Sequence, residues 1–148
     1  MVEGDDETLE LVARLRLAVA RLNRQLRAQS ANDLTLSMQS ALFTVSREGP
    51  LTLGALALRE QVAPSMVTKL LDRLERDGLV ERTAHATDKR VKYVAATDPG
   101  HERTQQIRRR REAWLATRVS SLGPDDVARL DAAIDVLEAL SEPDEPGS

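Results

Sequence analysis

The sequence predicts a mainly α-helical fold carrying one small β-hairpin, and three observations predict it. First, the 148 residues include one Phe, one Tyr and one Trp. The core must therefore be built mostly from Leu, Val and Ala, which favours helices over packed sheets. Second, apolar residues recur at helical spacing, most clearly in residues 63–78, where Val67, Leu70, Leu71 and Leu74 fall at i, i+3, i+4 and i+7. Third, the period drops to about two immediately after Gly78, in residues 79–83 and again in 92–97, with a polar stretch between them.

Composition narrows the function. Apolar residues make up 41% and charged residues 30% of the chain, as in a globular protein. The absence of cysteine excludes disulfides, thiolate metal sites and thiol redox sensing. No apolar run approaches the ~18 residues a membrane span needs, so the expected location is the cytoplasm. The net charge is −3, yet it is unevenly spread. Residues 1–10 hold five acids and no base, and residues 141–148 hold three acids and no base, which leaves +5 for residues 11–140. Local charge decides what a surface attracts.

In chain order, a first helix is expected from about Asp5 or Glu7, acids that suit a helix N-terminus, to Ala28. Leu11, Leu15, Leu22 and Leu26 form its apolar face, broad enough for either a core or a partner subunit. A break follows at residues 30–33. A second helix spans 37–47, with Ser37 as N-cap and Met38, Ala41, Leu42 and Val45 facing inward. Gly49-Pro50 stops it. Thr52 caps a short helix over 53–61 that buries Leu53, Leu56 and Ala57. The helix at 64–77 starts on Pro64 and ends at Gly78. Two short helices joined by a tight turn form a helix-turn-helix, and the hairpin behind it is a wing. Asp98 caps a long helix carrying Ile107, Trp114, Leu115, Val119 and Leu122, and Arg108–Arg111 on it reads as solvated surface. After Gly123-Pro124, a last helix from Asp125 to about Leu140 spaces Val127, Leu130, Ile134 and Leu137 as a seam for another helix. Residues 141–148 read as a disordered acidic tail.

Residues 36–100 resemble the MarR family of winged-helix transcription regulators. Three pieces carry the resemblance: VAPSMVTKLLDRLE at 62–75, GLVER at 78–82, and Asp88-Lys89-Arg90 followed by Val94, Thr97 and Gly100. It implies a single domain with an N-terminal dimerisation helix (1–34), a DNA-binding lobe (35–100), C-terminal dimerisation helices (101–140) and the tail. It further implies a homodimeric repressor on a pseudo-palindromic operator in double-stranded DNA. By position, Ser65, Thr68, Lys69 and Arg73 on the helix and Lys89 and Arg90 on the wing contact DNA, while Asp88 orients Arg90. Ala63 departs from the capping Ser or Thr frequent in the family, a loss of roughly 1 kcal/mol. The resemblance also implies control by a small aromatic or phenolic anion. The expected pocket lies among the first helix, the 37–47 helix and the start of the helix after Pro99, near Arg14, Arg47 or Arg103.

The chemistry of the residues agrees. Hydroxyls near a helix N-terminus suit phosphate, and Arg reads guanine in the major groove or enters a narrow minor groove. An enzyme is disfavoured: His85 and His101 stand apart, and no H-E-x-x-H, G-x-S-x-G or phosphate loop is present. No cofactor is indicated, and two histidines without cysteine make a poor zinc site. The rival reading is a winged-helix module that binds protein without DNA specificity. It calls for an apolar patch on the 64–77 helix, whose outer face is polar and basic apart from Met66. Few aromatics disfavour single-stranded RNA.

Overall fold

The computed structural model describes residues 2–30 and 33–142, with side chains from Gly4 onward. Residues 31–32 of the expected break and 143–148 of the expected tail lie outside the described residues. In order, the elements are α1 (Val2–Ala28), α2 (Leu36–Glu48), β1 (Leu51–Thr52), α3 (Leu53–Glu60), α4 (Pro64–Arg76), β2 (Val80–Ala84), β3 (Lys92–Ala96), α5 (Asp98–Ser120) and α6 (Pro124–Ser141). They fall into two compact units, Met1–Arg111 and Glu112–Ser148, with the boundary inside α5.

The first unit holds the core. Ala41, Leu42 and Val45 of α2, Leu56 and Ala57 of α3, and Val67, Leu70, Leu71 and Leu74 of α4 close on one another and on Val80 and Val94 of the sheet. These are the inward positions the helical spacing predicts. The sheet is antiparallel in the order β1-β3-β2, with Leu51 opposite Val94 and Arg82 opposite Val94 on the other side. β1 is an addition to the expected hairpin. At two residues it has no periodicity to read, and it forms because the chain leaving α2 at Gly49 (φ 79°) runs beside β3.

Two caps differ from expectation. Thr35, not Ser37, caps α2: its Oγ1 accepts from Met38 N at 3.2 Å and its carbonyl from Gln39 N at 2.9 Å. Thr97, not Asp98, caps α5: its Oγ1 accepts from Gly100 N at 3.2 Å and its carbonyl from His101 N at 2.9 Å. In both cases the threonine comes first, and its hydroxyl reaches the third amide of the new helix. Thr52 caps α3 as expected, accepting from Ala55 N at 3.1 Å, and Ala63 gives α4 no side-chain cap. α1 begins at Val2, earlier than expected, since nothing between Val2 and Asp5 interrupts it and the acids lie in its first turns.

α4 ends in a Schellman arrangement. Leu79 N donates to Leu74 O at 2.9 Å and Gly78 N to Glu75 O at 3.0 Å, with Gly78 at φ 74°. Leu74 and Leu79 are both buried, so the turn is fixed by hydrogen bonds and by packing together. This joint sets where the hairpin leaves the helix. The turn between α3 and α4 has the same bonds, Val62 N to Ala57 O at 3.2 Å and Gln61 N to Leu58 O at 3.3 Å, with Gln61 at φ 53°.

α1 leaves Leu9, Leu11, Val12, Leu17, Val19 and Leu22 exposed. In the second unit, the seam residues Val127, Leu130, Ile134 and Leu137 of α6 are exposed as well. None of the described helices is long and apolar enough to cross a membrane.

Candidate nucleic-acid interface

α4 buries Val67, Leu70, Leu71 and Leu74 and turns Ser65, Met66, Thr68 and Lys69 outward. Helical spacing puts Lys69, Arg73 and Arg76 in one row, at i, i+4 and i+7. Each of the predicted contact residues is exposed except Arg73, which is half-buried. Thr68 Oγ1 donates back to Pro64 O at 3.2 Å. Its proton is engaged within the helix, so in this rotamer it offers lone pairs outward rather than a donor. Arg73 Nε is held by Asp77 Oδ2 at 3.0 Å, which leaves its terminal nitrogens to reach outward.

The two acids on this helix are paired with a residue that the motif at 78–82 includes but to which the sequence pattern assigns no role. Arg82 of β2 donates through Nη2 to Asp72 Oδ1 at 2.7 Å and through Nε to Glu75 Oε2 at 2.8 Å. The Glu75 and Asp72 hydrogen bonds raise the Arg82 pKa above its ordinary value. The two carboxylates, at i and i+3, bind one guanidinium, so α4 and the wing strand are tied together. Among the described residues, Lys69, Arg76 and Lys89 have no ion-pair partner. The net result is a set of free cations around a helix whose acids are occupied. The signal in the sequence was the Asp72/Glu75 pair followed by an Arg on the next strand.

The wing turn is organised by His85. Its Nδ1 accepts from Thr87 N and Asp88 N, both at 3.2 Å, and lies 3.0 Å from Thr87 Oγ1. Its ring stacks on Tyr93 with centroids 5.8 Å apart. Accepting two backbone N–H groups requires Nδ1 to be unprotonated. The expected orienting role of Asp88 has a geometry here: its Oδ1 accepts from both Arg90 N and Arg90 Nε at 3.1 Å. The Arg90 side chain, then its backbone N–H, holds the Asp88 carboxyl below the usual carboxylate range. Arg90 nevertheless stays 91% exposed at the hairpin tip.

A second concave site lies between α2 and α5. It has a volume of about 240 Å³ and is lined by Phe43, Ser46, Arg47, His101, Thr104 and Arg108 among others. Ser46 Oγ lies 2.7 Å from His101 Nδ1 and 3.3 Å from Thr104 Oγ1. Of the three arginines expected near a ligand, only Arg47 lines it. Arg103 pairs with Asp33 at 3.1 Å in a different depression, and Arg14 stands exposed on α1. α1 contributes no lining residue.

A helix-turn-helix with a cationic outer face, closed by a three-stranded wing, defines a winged-helix DNA-binding protein. The MarR family model matches residues 34–92. An HTH-type transcriptional regulator of Mycobacterium bovis is 39% identical over 136 residues, covering 91% of this chain and 95% of that protein. The HTH-type transcriptional repressor MdtR of Bacillus subtilis is 28% identical, covering 81% and 77%. A Pseudomonas aeruginosa crystal structure, described as a candidate transcriptional regulator, superposes with a TM-score of 0.83 at 31% identity, covering 95% and 99%. The chain belongs to the MarR family of transcriptional regulators and is not an enzyme.

Proposed function

We propose that this chain is a homodimeric repressor that binds a pseudo-palindromic operator in double-stranded DNA. α4 enters the major groove with Ser65, Thr68, Lys69 and Arg73, while Lys89 and Arg90 of the wing reach the neighbouring minor groove. The observation that carries this reading is the charge distribution. Arg82 holds both Asp72 and Glu75 and offsets one of their two charges, while Lys69, Arg76 and Lys89 have no ion-pair partner among the described residues, so the surface that would face phosphate keeps free cations. The exposed apolar rows on α1 and α6 support pairing with a second copy, with residues 1–34 and 101–140 as the dimerisation part. The repressor role rests on the likeness to MdtR.

Selection of bound fragments from random DNA tests the proposal. It should return two inverted half-sites about one helical turn apart, ~10 bp. Affinity should fall steeply with salt, by several counterions, and sedimentation should show a dimer. A flat salt response or binding as a monomer overturns it.

The cavity between α2 and α5 supports control by a small aromatic anion. Arg47 and Arg108 offer charge and Phe43 offers a ring face. A ligand there releases DNA only if it binds the DNA-free arrangement better, and ~100-fold preference corresponds to about 2.7 kcal/mol. Titrating salicylate against the operator complex reads this directly: release of the DNA supports control, and an unchanged affinity and melting temperature removes it.

A further inference from the structure

The outer surface of α4 carries one exposed large apolar side chain, Met66, at 45% exposure. The apolar face of the helix is already complete, since Val67, Leu70, Leu71 and Leu74 fill the core. Met66 is not needed to close it. It stands in the first turn of α4, after Pro64 and Ser65, and one turn before Lys69. First-turn residues of a recognition helix are those that reach base edges. The neighbouring side chains carry hydroxyls or charge: Ser65, Thr68 bonded back to Pro64 O, Lys69, and Arg73 tied to Asp77. Met66 has no donor and only a weak acceptor, so it recognises by apolar contact. The major groove presents one apolar feature, the C5-methyl of thymine. An unbranched, flexible thioether suits contact with such a methyl at a position the backbone does not fix closely.

We propose that Met66 is a specificity-determining residue that reads a thymine methyl group in each half-site. The inference rests on the reading of α4 as the helix in the major groove. The test uses the full chain and the operator obtained by selection, with each thymine replaced singly by deoxyuridine, which removes only the methyl. For the unaltered protein, one position per half-site should lose about fourfold in affinity, the equivalent of ~0.8 kcal/mol for one buried methyl. Met66→Ala should bind thymine and deoxyuridine operators alike, with its melting temperature unchanged. Indifference of the unaltered protein to every deoxyuridine overturns the proposal, as does persistence of the same sensitivity in Met66→Ala. If selection enriches no sequence at all, the DNA reading beneath it fails instead, so the two failures are distinguishable.

Discussion

The carbonyl oxygen of Leu79 occupies the space that a Cβ on Gly100 would need. The same joint is closed by Thr97, whose hydroxyl donates to Gly78 O at 2.6 Å while its amide donates to Leu79 O at 3.1 Å. The start of α5 is thus pinned against the exit of α4. This gives a physical account of the Thr-x-x-Gly pair behind the wing: the threonine caps one helix and ties down the end of another, and the glycine lets the two backbones meet.

Gly100→Ala should therefore lower stability by about 2–3 kcal/mol, because the obstructing atom belongs to backbone and cannot rotate away. Thr97→Val should cost about 1–2 kcal/mol through the lost cap and hydrogen bond. Urea unfolding measures both. An alanine at 100 that leaves the midpoint unmoved would show that the two segments do not meet so closely.

Arg82 makes a different prediction, since its effect should appear in binding more than in folding. Asp72 and Glu75 are exposed enough for water to screen them, so Arg82→Met should cost no more than about 1 kcal/mol of stability. It would release two carboxylates beside the cationic row, and affinity should fall for specific and nonspecific DNA alike, with the largest loss at low salt. Adding Asp72→Asn and Glu75→Gln to Arg82→Met should restore much of the loss. A loss confined to one operator would instead assign Arg82 to base reading.

The wing pair can be followed by pH. Arg90 holds the Asp88 carboxyl below the usual carboxylate range, so the pair is charged at neutral pH. Its contribution is present above the ordinary carboxylate range and is lost as pH falls through the depressed value. In an NMR titration Asp88 should have a midpoint below that range, and Arg90→Ala should return it upward. The same substitution should weaken operator binding by roughly 1–3 kcal/mol with little change in melting temperature, since a loop-tip side chain contributes little to folding. Equal losses in both measurements would make Arg90 structural.

The helices and their buried faces were legible because burial follows a 3.6-residue period, as at Val67, Leu70, Leu71 and Leu74. The caps were misplaced at Thr35 and Thr97, where two or more residues able to cap stood in a row or nearly so and only geometry chose between them. At the interface, Ser65, Lys69 and Lys89 were visible as residue types on an outer face or loop tip. Arg82 and His85 were not, because their roles depend on which side chain a hairpin brings back to a helix or to its own turn. Such contacts join residues with no shared period.

The four consecutive arginines Arg108–Arg111 show the same limit and give the last prediction. Read as a run, they are solvated surface, and Arg108, Arg109 and Arg110 are indeed exposed. Arg111 is not. Its Nε and Nη2 donate to Ser30 Oγ at 3.1 and 3.0 Å, Nη2 donates to Gln39 Oε1 at 3.1 Å, and the guanidinium lies 5.5 Å from the centre of the Phe43 ring. Burial, and then the charge of Arg27, lower its pKa below the ordinary arginine value, without making it neutral at any physiological pH. Ser30 and Gln39 are themselves buried, and Gln39 Nε2 donates to Ser30 O at 3.2 Å and Leu34 O at 3.1 Å. One guanidinium thus completes a polar node linking the chain after α1, helix α2 and helix α5. Arg111→Ala should cost about 1–3 kcal/mol by stripping donors from buried acceptors and removing the guanidinium that lies over Phe43. Alanine at 108, 109 or 110 should stay within about 0.5 kcal/mol of the unaltered protein. Thermal unfolding of the four single variants decides it: four equal, small shifts would return Arg111 to the solvated surface with its neighbours.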